Sequence, residues 1–469
     1  MEYKGLRYAG CNITDEEKRY IANDVLVVKE ALEIMFASGH NKLTIGSCCL
    51  EEYKSIVGKE QYAEWFPNMY EVEIDKDTYG ESNAGDCIRH SYKGGWCYLV
   101  RGKENINYGA GVTADVNSLY PSMMSSESGN RYPVGEPTFW SGNYIPDEAQ
   151  KPDKYFFIRI RTRFYIKPNR LPFIQIKGSR FYSGTEMLET SDIKNKAGNY
   201  LPYYIDKEGN THSTRVLLTL TCTDYKLFRE QYNTKEFEIL DGCYFNTEIG
   251  IFDDYINKYR KIKMESKGAK RTLAKLFLNN LYGKMASNTD SSFKYAELDD
   301  NDVLRYIQIS ENDKTPGYIP VGSAITSYAR NFTIRAAQAN YYGKDKPGFI
   351  YADTDSIHCN LPPDQVKGIT IDPVKFCCWK LETSWDKAKF IRQKAYIEHV
   401  TEEDLQPIDN PYYNVKCAGM PDKCKNNYLS EHKGHELDDF KIGLEVDGKL
   451  MPKRIRGGVI LVETKYKMR

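Results

Sequence analysis

Two carboxylates, Asp353 and Asp355, lie one residue apart in the stretch GFIYADTDSIHCN, between an apolar run and a second short β-prone run. A charged pair at the end of a strand must either face water or hold something positive. Residues i and i+2 of an extended chain point to the same side, so the spacing predicts that both carboxylates converge on one cation while Thr354 turns away. Oxygen ligands of this kind suit Mg²⁺. A D-x-D on its own is more often a solvated turn or a helix cap, so a metal site needs further ligands.

A third carboxylate, Asp115, lies at the predicted end of another strand, GVTADVN, far earlier in the chain. A two-metal phosphoryl-transfer site needs a carboxylate from elsewhere to bridge both ions, and Asp115 is the candidate. The backbone carbonyl of Val116 offers one more ligand. The LYPSMM that follows predicts the start of a helix with Pro121 in its first turn. By itself, Asp115 is more typical of a turn residue that ends a strand.

A basic segment with a helical pattern supplies the third component. Residues 258–284 are rich in Lys and Arg, with Glu265 as the one acid. Spacings of four, four and three place on one helix face Arg271, Lys275, Asn279 and Tyr282. The lysines would be charge partners for a triphosphate, and Tyr282 would offer a flat surface to a base. The alternative is an ordinary amphipathic helix with a solvated basic face.

Two shorter motifs give weaker signals. In YKGG, which begins at Tyr92, the glycines Gly94 and Gly95 would let the backbone approach a phosphate closely, and a plain hairpin turn is the alternative. In KAY, Lys394 and Tyr396 place a cation and an aromatic ring on one face of a predicted strand, and a surface strand is the alternative. Taken alone, neither YKGG nor KAY indicates a function.

Composition limits the class of protein. At 469 residues the chain is predicted to form about three units. Lys plus Arg and Asp plus Glu both number 65, so the net charge neither supports nor excludes a nucleic-acid partner. Because the sequence has no run of about 18 apolar residues and no signal-peptide core, we expect a cytoplasmic protein without a membrane partner. The 12 cysteines include no C-x-x-C and predict buried, reduced thiols.

The elements that must position these residues are a mixture of helices and strands. Thr14 and Glu17 form a capping box, and apolar residues then recur at steps of four and three, which predicts a helix ending near Gly39. Residues 127–250 mix β-prone runs, such as YFFIRIRTRFYI and VLLTLTCT, with turn clusters. They predict a separate mixed lobe, followed by the basic helical segment.

Three of these stretches resemble the polymerase motifs of family B DNA polymerases, in the right order: DVNSLYPS at 115–122, KLFLNNLYG at 275–283 and YADTDS at 351–356. KAY resembles the fourth motif. Further features are similar to the protein-primed subgroup of small bacteriophages with linear genomes, namely YKGG, ITSYAR at 325–330 and VKCAGMPDK at 415–423. The resemblance covers nearly the whole chain, so the alternatives given for the single motifs lose most of their weight.

The resemblance implies template-directed DNA synthesis from a primer 3′ hydroxyl. Asp115, Asp353 and Asp355, with the Val116 carbonyl, would hold two Mg²⁺ ions, for which Mn²⁺ can substitute. The ions would activate the hydroxyl and stabilise the leaving pyrophosphate. Catalysis would rest mainly on positioning and charge.

The resemblance also implies roles in substrate binding. The nucleotide-binding set is Tyr120, Lys263, Lys275, Asn279 and Tyr282. The lysines would bind the triphosphate, Tyr282 would pack against the base, and Tyr120 would lie under the sugar and reject a 2′ hydroxyl. The set for primer and template is Tyr92, Gly94, Gly95, Thr326, Arg330, Lys394 and Tyr396. Within it, KAY would hold the primer end and YKGG the template strand.

The fold implied is α+β, a right-hand polymerase with an antiparallel palm sheet, helical fingers, a small thumb and two insertions. The expected segments are an exonuclease-domain remnant (1–46), palm (47–126), a larger insertion (127–250), fingers (251–286), a smaller insertion (287–318), palm (319–417) and thumb (418–469). In the family, the larger insertion contacts a terminal protein whose hydroxyl primes synthesis, and the smaller one gives processivity and strand displacement. The partners implied are primer-template DNA, deoxynucleoside triphosphates and a terminal protein.

The N-terminal region departs from the family pattern. YIANDVLVVKEAL resembles the third motif of a ribonuclease-H-like proofreading exonuclease domain, with Tyr20 and Asp24 one helical turn apart, whereas the first two motifs are not found. One carboxylate cannot assemble a two-metal exonuclease site, so we expect no proofreading by this chain alone, and a separate exonuclease chain is a possible partner. Strand displacement is also in question.

Two other functions compete with the polymerase. One is a non-catalytic remnant that binds DNA or terminal protein, which the incomplete exonuclease motifs favour and the intact Asp115, Lys275, Asp353 and Asp355 oppose. The other is a template-independent nucleotidyltransferase, which the template motif YKGG disfavours.

Overall fold

Helices and strands are mixed along the chain in the computed structural model, which describes residues 12–288, 292–298, 304–310, 316–455 and 458–469. The helices are α1 (Asp15–Ala37), α2 (Ile45–Val57), α3 (Lys59–Trp65), α4 (Lys76–Tyr79), α5 (Ala84–Arg89), α6 (Leu119–Met124), α7 (Cys222–Gln231), α8 (Asp253–Glu265), α9 (Gly268–Met285), α10 (Ile319–Ala339) and α11 (Asp422–Glu431).

The strands are β1 (Cys97–Leu99), β2 (Asn107–Tyr108), β3 (Gly111–Val116), β4 (Tyr132–Ser141), β5 (Lys154–Ile166), β6 (Ile193–Lys194), β7 (Tyr200–Leu201), β8 (Tyr203–Ile205), β9 (Thr211–Ser213), β10 (Val216–Thr221), β11 (Tyr232–Glu248), β12 (Ser292–Leu298), β13 (Leu304–Ser310), β14 (Phe349–Asp353), β15 (Ser356–Cys359), β16 (Trp379–Arg392), β17 (Ala395–Glu403), β18 (Gln406–Cys417), β19 (Glu445–Ile455) and β20 (Gly458–Lys467).

One sheet carries the three predicted carboxylates. Its strands lie in the order β1-β14-β15-β3-β16-β17-β18, with β2 beside β16, and all of its pairs are antiparallel. The central strand β3 buries Val112 and Ala114, while Asp115 near its end is only half-buried. Helix α10 packs against β14 and β15. The predicted α+β fold with an antiparallel sheet under the aspartates is confirmed.

A second antiparallel sheet, β10-β5-β11-β4, together with α7 forms what we call the β-lobe, residues 132–248. Strands β5 and β10 coincide with the two β-prone runs, so those strand predictions are confirmed. Arg159 on β5 and Asp241 on β11 form a buried ion pair, with 2.5 Å between nitrogen and oxygen. The β-lobe occupies the interval in which the larger insertion is predicted.

The basic segment folds as the packed helices α8 and α9. Phe277 and Leu281 of α9 are fully buried, and the Tyr259 ring of α8 stacks on Phe277 at 4.7 Å between ring centroids. The predicted helix with one apolar face is confirmed. After α9, β12 and β13 form a hairpin inside the interval predicted for the smaller insertion. Residues 289–291, 299–303 and 311–315 of that interval lie outside the described residues.

The C-terminal segment has a core of its own. Tyr428 of α11 packs with Val446 of β19 and Tyr466 of β20, and the same cluster includes Ile397 and Val415 from the edge of the central sheet. This segment is therefore joined to the sheet by apolar packing along β17 and β18.

The N-terminal helix α1 begins with the predicted capping box, since the Thr14 side chain accepts from the Glu17 backbone and the Glu17 carboxylate accepts from Thr14. It ends at Ala37, which confirms the prediction. Its apolar residues Ile21, Val25 and Val28 are more than half exposed. Within the described segments, no helix is both long enough and apolar enough to span a membrane.

Eleven of the cysteines lie in the described residues, and all eleven are free thiols. Nine are buried, while Cys377 and Cys378 are half-buried. The prediction of mostly buried, reduced thiols is confirmed for this part of the chain.

A buried polar cluster lies in the central sheet beneath the carboxylates. His358 on β15 and Glu398 on β17 are each 1% exposed, and their side chains are 2.6 Å apart. The Thr113 hydroxyl on β3 contacts both side chains, at 3.0 and 3.1 Å. A buried ionisable pair of this kind is costly to break because one partner is left in a low-dielectric interior. The cluster joins β3, which carries Asp115, to β15 and β17.

We expect Glu398→Ala to lower the free energy of unfolding by about 3 kcal/mol, because His358 loses its buried partner. The matched control is Asp386→Ala, which removes the His399–Asp386 pair in the same sheet, where Asp386 is 48% exposed. That change should cost less than about 1 kcal/mol. Urea unfolding followed by circular dichroism measures both, and equal costs would contradict the importance of the buried cluster.

Candidate active site

The three carboxylates lie on adjacent strands of the central sheet. Asp353 ends β14, Asp355 lies in the two-residue connection to β15, and Ser356 at the start of β15 pairs with Asp115 on β3. The Val116 N–H donates to the Asp355 carbonyl at 2.8 Å, which ties the end of β3 to this connection. The sheet therefore brings together residues that are distant in sequence.

The predicted extended course through Thr354 is wrong. Thr354 has φ +64°, so residues 353–355 form a tight hairpin turn, which we call the carboxylate turn. The Thr354 N–H donates to the Trp96 carbonyl and its own carbonyl accepts from the Thr333 hydroxyl, both at 2.8 Å. The two aspartates converge because the chain turns, and two neighbouring elements hold the turn.

Burial and mutual repulsion disfavour the charged forms of these carboxylates. Burial, then the carboxylates of Asp355 and Glu382, raise the pKa of Asp115 to about 7. Burial raises the pKa of Asp355 as well, and the nearby Asp353 and Glu382 carboxylates add to the shift. Like charges held in a partly desolvated site favour the arrival of a cation. The donor set, carboxylate oxygens beside a backbone carbonyl, fits a divalent ion such as Mg²⁺.

Asp353 already has a cationic partner. The Lys394 ammonium lies 2.6 Å from its Oδ1, and the Tyr351 hydroxyl donates to its Oδ2 at 3.2 Å. In the described residues, no three side chains of His, Cys, Asp or Glu are gathered closely enough to hold a metal ion. Lys394 itself lies in a turn with φ +58°, because β17 begins at Ala395, so its predicted place in a strand is wrong. From the turn, its side chain reaches the carboxylates.

A large cavity extends from the carboxylates to α8 and α9, with a volume of about 820 Å³. We call it the cationic cavity. It is lined by all five residues predicted to bind a nucleotide: Tyr120, Lys263, Lys275, Asn279 and Tyr282. Asp115, Val116 and Asp355 line its floor. The helix face predicted from spacing thus faces the carboxylates across the cavity.

The aromatic rings of Tyr120 and Tyr282 stack on each other in this cavity. Their centroids are 4.1 Å apart and the ring planes differ by 21°. Tyr120 belongs to the short helix α6, which starts after Ser118 in a left-handed conformation with φ +49°. The turn at Ser118 directs the chain away from β3 and places Tyr120 beside α9. Pro121 lies in the first turn of α6, as predicted.

Arg271 of the predicted helix face also lines the cationic cavity, together with three charged residues that the sequence did not indicate: Arg260, Lys380 and Glu382. Burial and the positive charges of Lys275 and Arg271 lower the pKa of Lys263. Such crowding of cations indicates a site for a multiply charged anion. Lys380 and Glu382 alternate with apolar residues on β16 and form an ion pair of 3.0 Å. That alternation was the signal available in the sequence.

A second cavity, of about 870 Å³, opens on the other side of the carboxylates. We call it the sheet cavity. Asp115 and Asp355 line both cavities, while Asp353 and Lys394 line this one. Tyr396 also contributes to its wall, although its ring is mostly buried and stacks with Phe390 at 5.4 Å between centroids. Its further lining includes the charged residues Glu403, Asp404, Lys416 and Lys425.

The YKGG motif forms a loop, residues 92–95, that lies against the carboxylate turn. A Cβ atom added to Gly95 would lie 2.6 Å from the Thr354 side chain, so the approach requires glycine. Gly94, by contrast, has open space around it. Tyr92 packs against the main core. Gly95 is therefore packed against the carboxylate turn, whereas Gly94 is not confined by it.

Two predicted contact residues on α10 are buried. The Thr326 hydroxyl bonds to carbonyls of its own helix, and Thr326 is 1% exposed. Arg330 is 4% exposed, and its guanidinium donates to the carbonyls of Lys93 and Gly94. Arg330 therefore supports the YKGG loop from behind, whereas the Thr326 hydroxyl bonds within α10.

The exonuclease-like pair lies away from this site. Tyr20 and Asp24 are exposed residues of α1, one turn apart, and line neither the cationic cavity nor the sheet cavity.

Comparisons with known proteins place these features in a family. The sequence model of one protein family, DNA polymerase type B, organellar and viral, matches residues 1–369 of this chain. The DNA polymerase of Bacillus phage phi29 is 36% identical over 478 residues, covering 99% of this chain and 74% of that protein. The DNA polymerase of Bacillus phage Nf is 35% identical over 477 residues, covering 99% and 75%. The matched part of each relative is thus about three quarters of its length.

The fold comparison agrees with the sequence comparison. A solved structure of Phi29 DNA polymerase complexed with primer-template DNA and incoming nucleotide superposes with a TM-score of 0.80 at 35% identity. The match covers 100% of this chain and 75% of that chain. The matched part of this chain therefore includes the residues that line both cavities.

Because an added methyl at Gly95 would collide with Thr354, we expect Gly95→Ala to lower the free energy of unfolding by about 2 kcal/mol. Gly94→Ala is the control, since its surroundings are open, and it should change stability by less than about 0.5 kcal/mol. Thermal unfolding of both variants provides the measurement. If the two variants melted alike, the close packing of the loop on the carboxylate turn would be refuted.

Proposed function

We propose a mechanism for a chain that belongs to the type B DNA polymerases of organelles and viruses and is therefore a DNA-directed DNA polymerase. The proposed mechanism is two-metal phosphoryl transfer at Asp115, Asp353 and Asp355. In this proposal the primer 3′ hydroxyl attacks the α-phosphate of a bound deoxynucleoside triphosphate, and pyrophosphate leaves.

The observation that carries the proposal is the position of Asp115 and Asp355 between two cavities. The cationic cavity on one side suits a triphosphate, and the sheet cavity on the other suits a primer end. A reaction between a nucleotide and a strand needs both substrates to meet at one charged centre. The two carboxylates lie at that meeting point.

Asp115, Asp353, Asp355 and the Val116 carbonyl would hold the metal ions. When bound, two Mg²⁺ or Mn²⁺ ions supply Lewis-acid stabilisation of the attacking and leaving oxygens. Asp353 would have to exchange its contact with Lys394 for a metal contact, and the released ammonium would be free to meet a phosphate of the primer strand. Burial and the neighbouring carboxylates raise the pKa of Asp115, and a bound cation would favour its charged form.

The nucleotide would bind in the cationic cavity. Lys263 and Lys275 would neutralise the triphosphate, with Arg260, Arg271 and Lys380 as additional charges on its wall. The Tyr282 ring would pack against the base and the Tyr120 ring would limit the space at the sugar. These two rings form one continuous aromatic surface, since they stack at 4.1 Å.

Primer and template would lie along the sheet cavity and the YKGG loop. The Phi29 polymerase is known in complexes with primer-template DNA, and its likeness to this chain supports the assignment. We propose further that synthesis starts from the hydroxyl of a terminal protein, which the β-lobe would contact, in the replication of a linear viral or mobile-element genome in the host cytoplasm. This priming proposal rests on the subgroup motifs and on the phage relatives.

The decisive change is Asp355→Asn, which removes a charge while keeping the size of the side chain. We expect extension of a primed template with Mg²⁺ and deoxynucleotides to fall by at least about a thousandfold. The control is Asp364→Asn, an exposed acid that follows the far end of β15 from the carboxylate turn, which should keep wild-type activity. Extension is followed by denaturing gel electrophoresis with the purified chain.

The outcomes separate the candidate functions. Asp355→Asn at full activity would reject the proposed centre. A folded wild-type chain that binds primer-template DNA without extending it would support a binding remnant. Extension of a single strand without any template would indicate the template-independent transferase.

Sugar selection provides an independent prediction. We expect Tyr120→Val to admit ribonucleotides, because the ring that limits the space at the sugar is removed. Tyr120→Phe is the control, since it keeps the ring and loses only the hydroxyl, and it should keep discrimination against ribonucleotides. The ratio of kcat/KM for deoxynucleotide and ribonucleotide incorporation is measured for each. An unchanged ratio in Tyr120→Val would refute the role of the ring.

A further inference from the structure

A buried ion pair connects the β-lobe to the YKGG loop. Asp224, in the first turn of α7, lies 2.5 Å from the Arg330 guanidinium on α10, and the side chains are 3% and 4% exposed. The other nitrogen of the same guanidinium donates to the carbonyls of Lys93 and Gly94 in the loop. One arginine thus bonds the β-lobe and the loop at the same time.

The position of Asp224 is itself fixed. Its N–H donates to the Thr221 hydroxyl, which caps α7 and contacts the Ser327 hydroxyl of α10 at 2.6 Å. A carboxylate in the first turn of a helix is also favoured by the helix dipole. Arg330 therefore meets a carboxylate that has little freedom to move.

The surroundings make this bridge important. Asp224, Arg330 and Lys93 line a cavity of about 350 Å³ between the β-lobe and the loop, so packing alone does not fill the space there. Asp224 Oδ1 has no hydrogen-bond partner among the residues that the structure describes. The contact through Oδ2 is thus the polar link that spans this gap.

The loop leads directly to the catalytic candidates. After Gly94, Gly95 packs against Thr354, and the Trp96 carbonyl accepts from the Thr354 N–H. A shift of the loop at Lys93 or Gly94 would change its position relative to the carboxylate turn. The Asp224–Arg330 pair therefore lies where it can control the position of the YKGG loop relative to the carboxylate turn.

We infer that Asp224 is a positioning residue that fixes the YKGG loop through Arg330 and thereby sets how the chain holds the template strand beyond the primer end. This inference rests on the proposed function and adds a residue of the β-lobe to the template site. Asp224 would not touch DNA, because it is buried behind the loop.

The test compares Asp224→Asn with Asp241→Asn. Each change removes an acid of the β-lobe that is paired with an arginine. Arg159, the partner of Asp241, donates to the Thr78 carbonyl, whereas Arg330, the partner of Asp224, donates to the loop. Fluorescence anisotropy gives the affinity of each variant for a primer-template with a 5′ template overhang and for the matching blunt duplex.

Asp224→Asn should weaken binding of the overhang DNA by about tenfold and of the blunt duplex by less than about twofold. Asp241→Asn should keep the wild-type preference for the overhang. Equal weakening of both DNAs by Asp224→Asn, or equal behaviour of the two variants, would overturn the inference, because a merely structural defect has no reason to select the overhang.

Arg330→Lys shows whether Asp224 acts through Arg330. An ammonium cannot reproduce the guanidinium's contacts with Asp224 and both carbonyls, so this change should cause the same selective loss. Adding Asp224→Asn to it should have little further effect, whereas additive losses would contradict the inference. Should Asp224→Asn fail to fold, Arg330→Lys alone carries the test, and wild-type overhang preference in that variant would overturn the inference.

Primer extension by the wild type keeps the two proposals separate. If the wild type does not extend a primer, the proposed function fails. If it does extend and Asp224→Asn binds overhang DNA normally, only the positioning inference fails.

Discussion

Repulsion between half-buried carboxylates is the constraint on which the centre of this molecule depends. Asp115 and Asp355 are brought together by strand pairing, and burial with like charge raises the pKa of both groups. The apolar packing of β3, β14 and β15 holds them in place in spite of that cost. Positive groups around them, above all Lys394 on Asp353, offset part of it. A cation beside these carboxylates would lower the remaining electrostatic cost.

Helix α10 makes the regions around this centre interdependent. Its Thr333 bonds the carboxylate turn, its Arg330 bonds the YKGG loop and the β-lobe, and its Ser327 contacts the cap of α7. All three side chains are on a helix whose length is mostly buried, so they have little freedom to adjust separately. Contacts with one helix therefore connect the β-lobe, the YKGG loop and the carboxylate turn.

Acidic and basic side chains are separated from each other within the site, although their totals in the chain are equal. The equal totals of acids and bases conceal a cavity whose walls on α8 and α9 are basic and whose floor is acidic. Burial and neighbouring cations lower the pKa of Lys263, while burial and neighbouring acids raise that of Asp115. The basic walls of this cavity favour phosphates, and its acidic floor favours cations. A ligand that carries both phosphates and metal ions would match the two sides.

The sequence by itself determined several elements and nominated the members of the site. Periodicity predicted α1 and the face of α9 that carries Lys275 and Tyr282, because helical spacing follows from local geometry. Asp115, Asp353 and Asp355 were selected by the resemblance of three ordered motifs to family B DNA polymerases. The tertiary structure alone decided the turn at Thr354, the contact of Lys394 with Asp353 and the burial of Arg330 against Asp224. Those features depend on contacts between residues far apart in the chain, and no local pattern encodes the partner of a buried charge or the conformation that packing imposes on a turn.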